Sequence, residues 1–149
     1  MNIPASPATP VTLLRRLMAI FYDFFLLTAI LFLATALVNA INQGRAIDPD
    51  SRYILLFDLY LVSIIFFYFG WFWTHGGQTL GMKTWKIKLI SNDSDNVNWK
   101  QVLIREITAV ISWLCLGLGF FWSLFDKKRR SWHDMTSRTT LIDLRTSDS

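Results

Sequence analysis

Three apolar blocks, residues 17–38, 54–74 and 107–125, constrain this chain more than any other feature. Each is about 20 residues long, enough to cross a ~30 Å hydrocarbon core as a helix. In a chain of 149 residues they leave room for one domain. The sequence is 52% hydrophobic and 15% aromatic, and its apolar residues are bunched rather than alternating, unlike a soluble domain of this size. The expected fold is an all-α integral membrane protein. It has two transmembrane helices, a third apolar segment and a small cytoplasmic β element. The first block imitates a signal peptide, with Arg15 and Arg16 before it and Val38-Asn39-Ala40 after it. It is longer than a typical leader core and Asp23 interrupts it, so it reads as a retained anchor.

Local signals place the rest. Residues 1–12, with Pro4, Pro7 and Pro10, read as a disordered tail, 13–144 as the membrane domain and 145–149 as a flexible end. Thr12 is a candidate N-cap for the first helix. Residues 39–53 are polar and read as a loop. Tyr68, Trp71, Phe72 and Trp73 suit an aromatic belt at the water–lipid boundary. Gly76-Gly77-Gln78-Thr79-Leu80-Gly81 reads as a turn. Residues 84–89 alternate like a strand with one buried face, and residues 139–144 are a second strand candidate. Asn98 and Gln101 resemble a capping box that opens the third helix.

The net charge of +4 comes from segments flanking the apolar blocks. This distribution suits a bilayer with anionic headgroups and no nucleic acid. Lys127, Lys128, Arg129 and Arg130 read as a headgroup anchor, at about 1 kcal/mol per basic residue. Arg15 and Arg16 set the N-terminus on the cytoplasmic side of a bacterial inner membrane. Both the second loop, with Lys83, Lys86, Lys88, Lys100 and Arg105, and the C-terminal segment also claim that side. Three straight crossings would put them on opposite sides. Either residues 107–125 bend near Gly117 and Gly119 and re-enter, or they cross and leave a basic tail outside.

A charge within a membrane helix costs about 2.5–3.5 kcal/mol at its centre, so Asp23 is a functional candidate. Arg16 lies seven residues earlier, on the same helix face but about 10 Å away along the axis, too far to pair. A carboxylate moved out of water favours its protonated form and can alternate between proton and cation. The structural alternative is an ion pair from Asp23 to Arg105 or to the basic run 127–130. Asp58 is a second ion station near the opposite face, or an interfacial carboxylate reaching water. His133-Asp134 reads as a surface turn, since no nucleophile motif accompanies it. The histidines and the single Cys115 have no metal-ligand spacing. Cys115 reads as a small packing residue. The Gly76–Gly81 turn is not a Walker loop. No enzyme, cofactor or metal is expected.

Together these segments resemble the RDD family of small bacterial membrane proteins. The likeness rests on Arg16-Leu-Met-Ala-Ile-Phe-Tyr-Asp23, on Gly77-Gln78-Thr79-Leu80-Gly81-Met82-Lys83, and on Ser131-Trp132-His133-Asp134 through Thr139. It implies that Arg16, Asp23 and Asp134 are the family's arginine and two aspartates, with Asp134 a cytoplasmic partner of Arg16. The family commonly has Ala-Gly-Thr where this chain has Ser137-Arg138-Thr139. Some members look like sodium- or lithium-for-proton antiporters. The resemblance therefore points to transport of a monovalent cation and proton. Two or three helices cannot easily enclose a hydrated path, so a homo-oligomer is expected. In this reading Asp23 is the ion site, Asp58 is a second candidate from its own residue chemistry and not from the resemblance, and Arg16, Asp134 and His133 form a gate or clasp. The alternative is a non-transporting accessory subunit in which the Arg–Asp set is structural.

Overall fold

A computed structural model of the protein describes residues 11–48, 51–127 and 129–146. Two long helices, α1 (Leu13–Ile41) and α2 (Ile54–His75), are long and apolar enough to cross a membrane. Thr12 stands at the N-cap of α1 in extended backbone, but its side chain makes no capping bond. A turn at Gly76 and Gly77 leads to a one-turn helix, α3 (Leu80–Thr84), and then to strand β1 (Ile87–Ser91). The third apolar segment comprises α4 (Trp99–Leu114), α5 (Leu118–Phe121) and a 3₁₀ turn at Trp122–Leu124. Helix α6 (Trp132–Thr136), strand β2 (Thr139–Asp143) and a final 3₁₀ turn (Leu144–Thr146) complete the chain.

Much of this follows from local chemistry. Asn98 Oδ1 accepts from Gln101 N–H at 2.9 Å, and Gln101 Oε1 accepts from Asn98 N–H at 3.1 Å, the expected reciprocal cap of α4. The strands pair antiparallel, with Leu89 opposite Leu141. Their alternation puts Ile87, Leu89 and Leu141 into a small core with Val11, Val97 and Val102. The first strand begins later than expected. Thr79 caps a helical turn through residue 84, and Lys86 reverses the chain at φ 51, so pairing starts at Ile87. Val11, expected in the disordered tail, is 1% exposed, and Arg145, expected in the flexible end, pairs with Asp143. Arg138 occupies the left-handed region at φ 51, where glycine fits freely and another residue costs about 1 kcal/mol.

The third segment does not run straight. Its two halves meet at 107°. Leu116 and Gly117 both have positive φ, 55 and 77. Gly119 packs so closely on Ser112 that a Cβ there would collide with the serine hydroxyl. The chain then returns to the end where α4 began, and α6 packs against α4. Of the two expected forms, the kinked one is observed.

Burial is inverted relative to a water-soluble domain. Beyond Asp23, α1 has no buried residue, and α2 buries Gly70 alone. The buried side chains are to a large extent polar or charged, among them Arg15, Arg16, Asp23, Arg105, His133 and Asp134. These collect at one end of the two long helices, where the start of α1 meets α3, α6 and the end of β2. We call this end the polar cap.

Candidate functional site: two buried carboxylates in the polar cap

The residues at 15, 16, 19 and 23 form the buried face of α1. Arg16 and Asp23 share it, as their spacing requires, yet they serve different clusters.

Asp23 is 4% exposed. Its Oδ1 accepts from Tyr68 Oη at 2.9 Å and from Gly81 N–H at 3.0 Å, and its Oδ2 accepts from Thr79 Oγ1 at 2.5 Å. An ionised carboxylate offers about four acceptor positions, so three are occupied, all by neutral donors. Among the described residues Asp23 has no cationic partner within ion-pair distance. The alternative pairing with Arg105, or with Lys127, Arg129 or Arg130 of the basic run, is therefore not formed. The Gly77–Gly81 segment does more than turn the chain. Gly77, at φ +71, accepts from Leu89 N–H at 2.7 Å, and Gln78 Nε2 donates to Ile87 O at 2.7 Å, which fixes β1 beside it. Thr79 caps α3 by accepting from Met82 N–H while donating to Asp23. Gly81 lies directly against the Ala19 carbonyl, so its missing side chain lets α3 reach α1.

Asp134 is surrounded differently. Arg16 Nη1 donates to its Oδ2 at 2.5 Å and Arg105 Nη1 to its Oδ1 at 2.6 Å. Ser131 N–H reaches Oδ2 at 3.0 Å as the start of α6 caps itself. Arg16 also donates to the Arg129 carbonyl, and Arg105 to Thr139 Oγ1. The Arg105 guanidinium lies 5.2 Å from the centre of the Trp73 ring, at cation–π range. Burial alone would raise the Asp134 carboxyl pKa, but the Arg105 and Arg16 charges override it and hold the group well below the usual carboxylate range. The His133 ring lies tilted beside Phe120, with centroids 4.8 Å apart, and its Nε2 lies 2.8 Å from Ser131 Oγ while Nδ1 is buried without a partner. Burial, then the Arg105 charge, push its imidazole down to about 3, so it is neutral at pH 7. A third pairing, Arg15 with Asp143 and the Trp85 carbonyl, ties α1 to the end of β2.

The sign of the His133 shift has a consequence for acid stability. Its folded pKa lies below the ordinary 6.5, so its stabilising contribution is complete above pH 6.5 and is lost as pH falls towards 3. The Asp134 contribution has the same sign and fades only below the ordinary carboxylate pKa of ~3.9. Between pH 7 and pH 5 His133 should cost about 2 kcal/mol of stability, at ~1.4 kcal/mol per pH unit below 6.5. Unfolding in mild detergent at stepped pH checks this, and His133→Asn should flatten the curve over that interval. An equal slope in the variant would assign the acid lability elsewhere.

The other candidates are dispersed. Asp58 is exposed near the start of α2 and belongs to neither cluster. Lys127 and Arg129 are exposed, and Arg130 pairs with Asp126 at 3.1 Å; Lys128 lies outside the described residues. Cys115 is an exposed free thiol at the corner of the third segment. No group of three or more His, Cys, Asp or Glu side chains among the described residues is placed to hold a metal. Sequence reasoning missed the roles of four residues. It places Tyr68 in an aromatic belt, reads Arg105 as a loop charge or a partner of Asp23 rather than of Asp134, and gives Thr79 and Gly81 to a turn alone. The missed signal was a hydroxyl and a glycine two residues apart after an apolar helix, which together supply two donors to one anion.

Neither a curated protein nor a solved structure matches this chain. The model of the RDD family matches residues 10–138, a span that holds Arg16, Asp23, Arg105 and Asp134, and the chain belongs to the RDD family.

Proposed function

We propose that this protein is a small ion-coupled membrane transporter of the cation/proton exchange type, working through Asp23. The contrast between the two buried carboxylates carries this reading. Asp134 already holds two guanidiniums, whereas Asp23 is met by neutral donors alone. A buried carboxylate without a counter-cation is costly, and a proton or a monovalent cation supplies the missing charge. The Tyr68 and Thr79 hydroxyls suit both states. Each donates to the bare carboxylate and can rotate a lone pair towards a bound cation. The Arg16–Asp134–Arg105 clasp holds the cap that frames this site.

Placement in a bilayer is supported by two long apolar helices with almost nothing buried in the protein. The basic residues at the cap favour the cytoplasmic face of a bacterial inner membrane for the N-terminus. Exposed Lys127 and Arg129 suit anionic headgroups. Two sparsely packed helices enclose no hydrated path, so the working unit is a homo-oligomer. The test is proton flux in vesicles reconstituted with purified protein, driven by an imposed sodium, lithium or potassium gradient. Asp23→Asn should reduce that flux at least tenfold while the protein remains monodisperse. Undiminished flux in an intact Asp23→Asn protein sinks the mechanism.

One observation favours a second function, that of an accessory subunit. Both carboxylates also act as cross-links, Asp23 joining α1, α2 and α3 and Asp134 joining α1, α4 and α6. On that reading Asp23→Asn lowers protein abundance and recovery of a stoichiometric partner, and wild-type vesicles carry no flux.

A further inference from the structure

We infer that the third apolar segment, residues 99–124, is a wedge seated in one leaflet of the bilayer, on the side of the polar cap, with lipid as its partner. This rests on the membrane placement proposed above and adds what the third segment does there.

Both ends of the segment are tied to the cap. At its start Gln101 Nε2 donates to Ser91 Oγ at 2.9 Å, and Arg105 holds Asp134 and Thr139. Thr136 Oγ1 donates to Thr108 Oγ1 at 3.0 Å. Beyond its far end, the Arg129 carbonyl accepts from Arg16, on the first turn of α1. The chain therefore leaves the cap and comes back to it, next to the start of the first long helix.

The faces of the segment are reversed for water. Helix α4 turns Gln101, Arg105 and Ser112 inward and exposes Leu103, Ile107, Val110 and Leu114. The returning arm does the same. It buries Gly119 and Ser123 and exposes Leu118, Phe121, Leu124 and Phe125. The corner is the most apolar point, with Leu114 79% and Leu116 89% exposed. The backbone N–H groups of residues 115–118 are all satisfied internally. Gly117 N–H reaches Ser112 O at 2.8 Å and Leu118 N–H reaches Cys115 O at 3.1 Å. A bend in hydrocarbon requires this.

Length sets the depth. From Arg105, anchored in the cap, to Leu114 is nine residues, a reach of at most ~14 Å. Half of a ~30 Å hydrocarbon core is ~15 Å, so the corner reaches the bilayer midplane at most. Exposed cations, Lys100 on one side and Lys127 and Arg129 on the other, flank the apolar face. That charge pattern complements anionic headgroups, and α4 packs beside α2, whose side chains are themselves apolar and almost wholly unburied. Both features select lipid over a second copy as the occupant.

Cys115, the chain's single cysteine, sits at the corner and reports on it without mutation. In vesicles of phosphatidylethanolamine and phosphatidylglycerol, a membrane-impermeant maleimide should label Cys115 at least tenfold more slowly than in detergent, from either side. A fluorophore on Cys115 should be quenched by lipids brominated along the acyl chain. Epitopes at the two ends of the chain should be digested from the same side. Ends on opposite sides, or rapid impermeant labelling from either side, would overturn the wedge. Copy-to-copy cross-linking through Cys115 without lipid quenching would also overturn it, in favour of a second copy. Release of the protein by alkaline carbonate would instead remove the membrane placement on which it rests.

Discussion

Asp134→Asn is expected to destabilise the protein by about 3–5 kcal/mol, the usual cost of removing one partner from a buried ion pair. The side chain loses its charge and almost no volume, so packing contributes little. The cost comes from Arg16 and Arg105, which are left facing each other with no anion between them. Ser131 also loses the carboxylate that caps the first turn of α6. Denaturant unfolding in mild detergent measures the loss. The triple variant Arg16→Met, Arg105→Met, Asp134→Leu discriminates between explanations. With no charge left to compensate, it should recover most of the stability lost in the single variant. If it is as unstable as Asp134→Asn, the clasp acts through its remaining hydrogen bonds to Arg129 O and Thr139 rather than through charge.

Interactions within a turn or two were legible in the sequence. Asn98 and Gln101 announced their reciprocal cap, and the alternation of Ile87 and Leu89 announced which face of β1 is buried. The conflict between the basic second loop and the basic C-terminal segment foretold that the strands share one end. That inference used chain topology, not any local signal, and β1 does pair with β2. Spacing also placed Arg16 and Asp23 on one face and kept them from pairing.

The choice of partners was not legible. The protein donors to Asp23 come from 45 to 58 residues away, and nothing near them in sequence marks the distance. Helix α2 is apolar on every side and buries only Gly70, so no stripe tells which ring turns inward. Tyr68 thus looked like one more boundary aromatic. The resemblance joined Arg16 to Asp134, which do bond, but Arg105 was matched with the wrong carboxylate, because a lone arginine beside an apolar block carries no mark of which buried anion it meets. The result divides one anticipated constellation into two sites on the same helix face. One holds two guanidiniums and the other, among the described residues, has no cation. Under the proposed function, this division gives holding to Asp134 and exchange to Asp23.

Gly81→Ala is the sharpest test of how the Asp23 site is built, with an expected cost of about 2–5 kcal/mol. A Cβ at Gly81 would strike the Ala19 carbonyl and lie 2.9 Å from Asp23 Cγ. The carbonyl is part of α1 and cannot turn away, so α3 must move off the helix. Overpacking of that kind costs about 1–3 kcal/mol. The movement also stretches the Gly81 N–H bond to the Asp23 carboxylate, a charge-assisted contact worth about 1.5–3 kcal/mol. Gly44→Ala is the control. Gly44, unlike Gly81, has a positive φ, +75, but a Cβ there meets nothing within 4 Å, so backbone strain of about 1 kcal/mol applies there without any collision. Combining Gly81→Ala with Asp23→Ala separates the two contributions. If the glycine exists to present its N–H to the carboxylate, the pair should cost at least 1 kcal/mol less than the sum of the single variants. Additive losses would mean that Gly81 serves helix packing alone. The Asp23 carboxylate would then be oriented by the Tyr68 and Thr79 hydroxyls, which can turn with its state of charge.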